Sequence, residues 1–192
     1  MKFAYADPPY LGLAAAFYGG RHSEATEYDK PETHQKLIDR LSDDYDGWAM
    51  SLHTPALKTI LPMCSDDCRV MAWVKPFVSF KPGVTVAYAW EPVIVRGGRK
   101  RPRTMGTVRD WVAANITLRR GFPGAKPEAF CFWLFEVLNV ESSDDFDDLF
   151  PGSWAVSRAW ETYRRQKRFD FGSTDGADHA QLLLGMDAGT HL

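Results

Sequence analysis

Phe3-Ala4-Tyr5-Ala6-Asp7-Pro8-Pro9-Tyr10 is the stretch from which the fold can be read. Four apolar residues form a short strand, which cannot continue through two prolines that lack an N–H and hold φ fixed. The backbone must turn there. It leaves the Asp7 carboxylate, two rigid carbonyls and the Tyr10 ring together at the strand's end, as the edge of a site would.

Outward from that strand, apolar runs alternate with helical patterns. Residues 11–30 read as a long connection, either a lid over the strand end or a loop that tucks Phe17 and Tyr18 into the core. Pro31 and Glu32 open a helix to about Leu41, with Leu37, Ile38 and Leu41 inward. Trp48 to Leu52 reads as the next strand, Thr54-Pro55 as the start of a short helix, and Arg69 to Val74 as a third strand. Strand, helix, strand, helix, strand is the order of a doubly wound α/β sheet. Val84 to Val95 follows as a strand expected to pair antiparallel at the edge.

With 192 residues, 45% apolar and 14% aromatic, the chain can bury one sizeable core. Met1-Lys2-Phe3 leads directly into the first strand and no apolar run approaches membrane-spanning length, so no membrane role and a cytoplasmic location are expected. Cys64, Cys68 and Cys131 are too few and too unevenly spaced for a disulfide framework or a metal site, and no metal is expected. The net charge of −2 means that any nucleic-acid contact must be local. Arg96-Gly97-Gly98-Arg99-Lys100-Arg101-Pro102-Arg103 is the strongly basic stretch. Its glycines and proline disfavour regular structure, and phosphate contact by Arg96, Arg99, Lys100, Arg101 and Arg103 is its natural use. A solvated face is the plainer alternative.

Lys126-Pro127-Glu128 opens a helix in which Phe130, Trp133, Leu134, Val137 and Leu138 repeat at core-packing spacing. A short strand over Asp144 to Phe150 then ends in Asp148-Leu149-Phe150-Pro151-Gly152-Ser153, and Ser153 caps a helix to about Arg168. A strand that passes through a glycine turn into a helix is where a cofactor approaches backbone in α/β proteins.

Together, Asp7-Pro8-Pro9-Tyr10, the Trp90-Glu91-Pro92-Val93 segment, the Lys-Pro-Glu helix start and the Asp-x-Phe-x-Gly-Ser turn resemble the amino-group methyltransferases that act on exocyclic amines of nucleic-acid bases. The motif order is the permuted one, with the catalytic motif first, and the likeness to small phage-type DNA adenine methyltransferases covers about residues 1–168. The resemblance implies a Rossmann-like methyltransferase fold with a mostly parallel sheet and S-adenosylmethionine (SAM) as cofactor. It implies DNA as partner, with RNA or cytosine N4 as alternatives, and a cytoplasmic site, in a host cell if phage-encoded. It further implies that Asp7 and the Pro8 carbonyl orient the amine, Pro9 stiffens the turn and Tyr10 stacks on a flipped base. Asp148, Phe150, Pro151, Gly152 and Ser153 would line the cofactor pocket, with Lys126, Pro127 and Glu128 beside it, and the two motif strands would be neighbours. Residues 96–121 would form a basic, irregular nucleic-acid-contacting insert.

Two departures qualify the likeness. Trp154 stands where the family pattern has a second glycine, and its ring would either point into the sheet or fill the methionine end of the pocket. Residues 169–192 read as a flexible tail without the further strands the family carries, which leaves open a reduced sheet or completion by a second copy. Two other readings follow: a nucleic-acid-binding relic without catalysis, and a methyltransferase for a small molecule or protein side chain.

Overall fold

The computed structural model describes residues 1–20, 23–78, 83–117 and 125–172, with side chains described as far as residue 167. Its strands are β1 (Lys2–Ala6), β2 (Gly47–Ser51), β3 (Arg69–Val74), β4 (Trp90–Gly97), β5 (Trp111–Ala113) and β6 (Asp145–Asp148). The helices are α1 (Ala14–Tyr18), α2 (Pro31–Asp44), α3 (Leu57–Ile60), α4 (Glu128–Leu138) and α5 (Ala155–Gly172). Short 3-10 turns cover Ser23–Asp29, Thr54–Ala56 and Leu61–Met63.

The strands form one sheet in the order β5-β3-β4-β2-β1-β6. β1 pairs parallel with β2 and β6, and β3 pairs parallel with β5, whereas β4 runs antiparallel to both β2 and β3. The expected doubly wound α/β fold is present, and the two motif strands are neighbours, Tyr5 lying opposite Asp148. The antiparallel strand is not at the edge. It starts at Trp90 instead of Val84 and returns inside the sheet, between β3 and β2. The outer strand on that side is β5, which lies within the segment expected to be irregular and is held by Trp73 Nε1 donating to the Ala114 carbonyl at 2.8 Å.

Side chains alternate across the sheet as the pleat requires. Phe3, Tyr5, Ala49, Val93 and Val95 face α4 and α5. Ala4, Ala6, Trp48, Met50 and Ile94 face α2 and α3. Buried α4 residues Phe130, Trp133, Leu134 and Leu138 confirm the helical spacing read from the sequence, and Pro127 sits at the N-cap instead of the first helical position. α5 continues past residue 168 to Gly172, so the expected boundary between domain and tail falls inside a helix. Residues 118–121 of the expected insert and 173–192 of the expected tail lie outside the described residues.

The 11–30 connection is not an open loop. Asp29 accepts hydrogen bonds from the Ala14 and Ala15 amides at 3.0 and 2.9 Å, which folds α1 back on the 3-10 turn that follows it. No helix among the described residues is long and apolar enough to cross a membrane.

Candidate active site

The parallel strands all end at one edge of the sheet, and β4, running the other way, begins there. Asp7, His53, Lys75, Glu91 and Asp148 therefore converge on that edge although 141 positions separate the first from the last by numbering. Prolines 8 and 9 turn the chain so that Tyr10 folds back over Asp7. The Tyr10 hydroxyl lies 3.1 Å from Asp7 Oδ1 and 3.2 Å from Glu91 Oε2. Its ring lies parallel to His53, with centroids 5.6 Å apart.

Lys126 closes the cluster. Its ammonium reaches Asp7 Oδ1 at 3.0 Å, Glu91 Oε2 at 3.2 Å and the Tyr10 hydroxyl at 3.4 Å, while its side chain is only 4% exposed. The rings of Trp73 and Phe130 wall it in, at 5.3 and 5.9 Å from Nζ. Lys75 pairs with the other Glu91 oxygen. Two carboxylates are thus matched by two ammonium groups, which is what lets four charges sit in so dry a place.

The electrostatics follow from burial and pairing. Burial pushes the Asp7 carboxyl up, Lys126 pulls it back, and Glu91 adds to the rise. Burial works the same way on Glu91, but Lys126 and Lys75 outweigh it and hold that carboxyl below the usual range. Burial disfavours charge on Lys126, yet Asp7 and Glu91 keep it protonated well above the ordinary lysine value. Burial, then Asp7 and Glu91, raise the Tyr10 phenol far up, so it is a neutral donor. Burial lowers His53, whose Nδ1 is enclosed without a hydrogen-bond partner among the described residues.

Beside this cluster, β6 ends at Asp148. Its Oδ2 accepts the Ser157 hydroxyl at 2.8 Å, whereas Oδ1 is buried without a side-chain partner among the described residues. Burial raises this carboxyl, with Ser157 opposing the rise. A cavity of about 490 Å3 opens there, lined by Tyr28, Arg40, Asp147, Asp148, Phe150 and Ser157 among others. Phe150 is held edge-on by Tyr28, with centroids 5.5 Å apart. Pro151, Gly152 and Ser153 form the turn into α5, with Gly152 at φ 41° and Trp154 at φ 59°. The Trp154 ring is 59% exposed, so it neither enters the sheet nor fills the crevice.

The structure therefore brings Asp7, Pro8, Pro9 and Tyr10 together with the Asp148–Ser153 turn, as expected. It places Lys126, expected beside the cofactor pocket, in the Asp7 cluster, where its ammonium meets Asp7, Glu91 and Tyr10. Pro127 caps α4 and Glu128 is exposed in its first turn.

The basic stretch is not brought to the site. β4 ends at the opposite edge of the sheet, about 16 Å away for a five-residue strand. Arg96 pairs with Asp67 at 3.0 Å, Arg99 with Asp144 at 2.6 Å and Arg101 with Glu136 at 3.2 Å. These arginines tie elements of the fold together, while Lys100 and Arg103 stay exposed. Sequence reasoning missed the roles of Glu91, Lys75 and His53. The available signal was an acidic residue opening an otherwise apolar strand.

No protein-family model matches the chain, and no curated protein matches it in sequence. Among solved structures, the fold is shared with M1.HpyAVI in its complex with SAM, with a TM-score of 0.52 and 12% identity over 84% of this chain and 78% of that one. TTHA0409 of Thermus thermophilus, provisionally described as a DNA modification methylase, aligns less closely. Its S-adenosyl-L-methionine complex gives a TM-score of 0.44 and 10% identity over 84% of this chain and 87% of that one. Its selenomethionine form gives 0.43 and 9% over the same shares. At such identity the likeness to M1.HpyAVI is one of fold, and the looser TTHA0409 alignments carry no argument.

Proposed function

We propose that this chain is a SAM-dependent methyltransferase acting on the exocyclic N6 amine of adenine in DNA. The observation that carries the reading is the Asp7 carboxylate at the carboxyl end of β1, with Oδ2 unbonded among the described residues and with Asp148 on the adjacent strand. In open α/β sheets, ligands bind outside the carboxyl ends of strands. The residues at the end of β6 fit SAM: its ammonium would supply the donor that Asp148 Oδ1 lacks, and Phe150, Gly152 and Ser153 would lie along it. When bound, SAM supplies an electrophilic methyl group.

The protein's own residues then have defined tasks. The lone pair of an aromatic amine is delocalised into its ring, so the nitrogen is a poor nucleophile until its hydrogens are held. Asp7 accepts one hydrogen and the Pro8 carbonyl the other, which draws the nitrogen toward tetrahedral geometry and aims its lone pair. The prolines hold both acceptors without reorganisation. Tyr10, backed on one face by His53, offers the other face to a base extruded from its helix. The relic reading loses one of its supports, since the exposed Trp154 does not obstruct the crevice.

The test is transfer of labelled methyl from SAM to unmethylated DNA, followed by nucleoside analysis and repeated with Asp7→Ala. Label in N6-methyladenine that disappears in the variant is the expected result. Label in N4-methylcytosine would reassign the base. DNA binding without label would return the chain to the non-catalytic reading.

A further inference from the structure

The polar cluster contains more than the amine acceptor needs. Asp7 Oδ1 receives two donors, Lys126 Nζ at 3.0 Å and the Tyr10 hydroxyl at 3.1 Å, whereas Oδ2 receives none among the described residues. The lysine is itself held from the far side by Glu91 at 3.2 Å, and Glu91 by Lys75. The ammonium donates to Glu91 and, at 3.4 Å, to the Tyr10 hydroxyl, and it pairs with Asp7, so its contacts among the described residues all lie within this cluster.

We propose that Lys126, anchored by Glu91, is a positioning residue: it pins the Asp7 carboxylate by Oδ1 and so presents Oδ2 alone, at a fixed angle, to the target amine. The inference rests on Asp7 being the amine acceptor proposed above. Its chemical content is that the acceptor must be ionised and must not rotate. Burial alone would draw a proton onto the Asp7 carboxylate. A protonated Asp7 offers a donor where an acceptor is required. Lys126 opposes that protonation, and Glu91, the second negative charge, favours it.

The other charged and titratable groups near the pair come from every element packed around it. Tyr5 precedes Asp7 in β1, Tyr18 approaches from α1, and Asp148 from β6. Cys131 of α4 faces Lys126, and His53 after β2 faces Glu91. None of these is hydrogen-bonded to Asp7 among the described residues, where its polar partners are Tyr10 and Lys126. The two substitutions Lys126→Met and Glu91→Gln should therefore move Asp7 in opposite directions.

The experiment measures Asp7 directly, by carbon-13 NMR titration of protein labelled at the aspartate carboxyl, with Asp7→Asn used to assign the resonance. Methyl transfer to DNA against pH is followed in parallel. In Lys126→Met the Asp7 midpoint and the acid limb of the rate profile should both rise by roughly one pH unit or more. In Glu91→Gln both should fall. Should Lys126→Met not fold, Lys126→Gln, which also removes the charge but keeps a polar end, should raise both in the same way, and unmoved values in it would overturn the proposal. Unmoved midpoints in the folded variants, or a uniform loss of rate at every pH, would overturn the proposal. Absence of methyl transfer in all proteins would refute the function proposed above, while the carboxyl titration still answers for Lys126.

Discussion

Trp154 adopts φ 59°, a conformation that costs an L-residue with a bulky side chain roughly 1–2 kcal/mol and glycine almost nothing. Its ring recovers little of this, being 59% exposed. Trp154→Gly should raise the unfolding free energy by about 1 kcal/mol in denaturant titration, whereas Trp154→Ala should not, because alanine keeps the strain. Equal stability of the two variants would mean that the turn relaxes freely and stores no strain. This residue also marks the limit of what sequence conveys at this scale. The position was legible as one suited to glycine, but the outward direction of the ring depends on the turn that Pro151 and Gly152 make. Asp7-Pro8-Pro9-Tyr10 was legible because its geometry is local. Lys126 and Glu91 stood out as parts of motifs, but their meeting with Tyr10 was not legible, since it spans 116 and 81 positions of chain and no local pattern records it.

Elements whose ends are set by their own residues were read well, and those set by neighbours were not. β1, β3 and α2 carry their periodicity and their proline signals within themselves. The place of β4 depends on how the chain returns from β3, and Pro92 within it suggests an edge, where a missing N–H does least harm. The internal position is tolerated because the Pro92 carbonyl still accepts the Leu52 amide at 3.2 Å. The 11–30 segment lacked a helical signature because its helix is five residues long, too short to hold without outside help. That help is the Asp29 carboxylate, which the two α1 amides hold below the usual carboxylate range. A lowered folded pKa means that this contribution is present above the unfolded value and is lost as pH falls through the folded one. Asp29→Ala should speed hydrogen exchange of the Ala14 and Ala15 amides roughly five- to tenfold while leaving β1 unchanged. Unaltered exchange at those amides would show that packing, and not the cap, holds α1.

At the scale of the whole molecule the two edges of the sheet have different work. The carboxyl edge gathers the site, and the opposite edge is fastened by Asp144. That carboxylate, with its side chain only 3% exposed, takes the α-ammonium of Met1 at 2.8 Å, Arg99 at 2.6 Å and the Glu141 amide at 2.7 Å. It thus joins the start of β1, the segment leaving β4 and the entry to β6, the two motif strands among them. Burial opposes its charge, but Arg99 and the α-ammonium outweigh burial and hold the carboxyl below its ordinary value. Stability from this group is therefore complete above about pH 4 and fades as pH falls through the lower folded pKa. Asp144→Asn should cost about 2 kcal/mol near neutral pH, less than a fully buried pair because Arg99 and Met1 are partly exposed. The gap between variant and wild type should close in acid, and a gap of the same size at pH 3 and pH 7 would remove ionisation from the account. The same geometry separates the two uses of the basic stretch. Arg99→Ala should lower stability as Asp144→Asn does, whereas Lys100→Ala and Arg103→Ala, exposed and unpaired among the described residues, should leave it within about 0.5 kcal/mol. If Arg99→Ala instead weakens DNA binding and flattens its salt dependence at unchanged stability, the arginine serves phosphate contact and the Asp144 pairing is incidental.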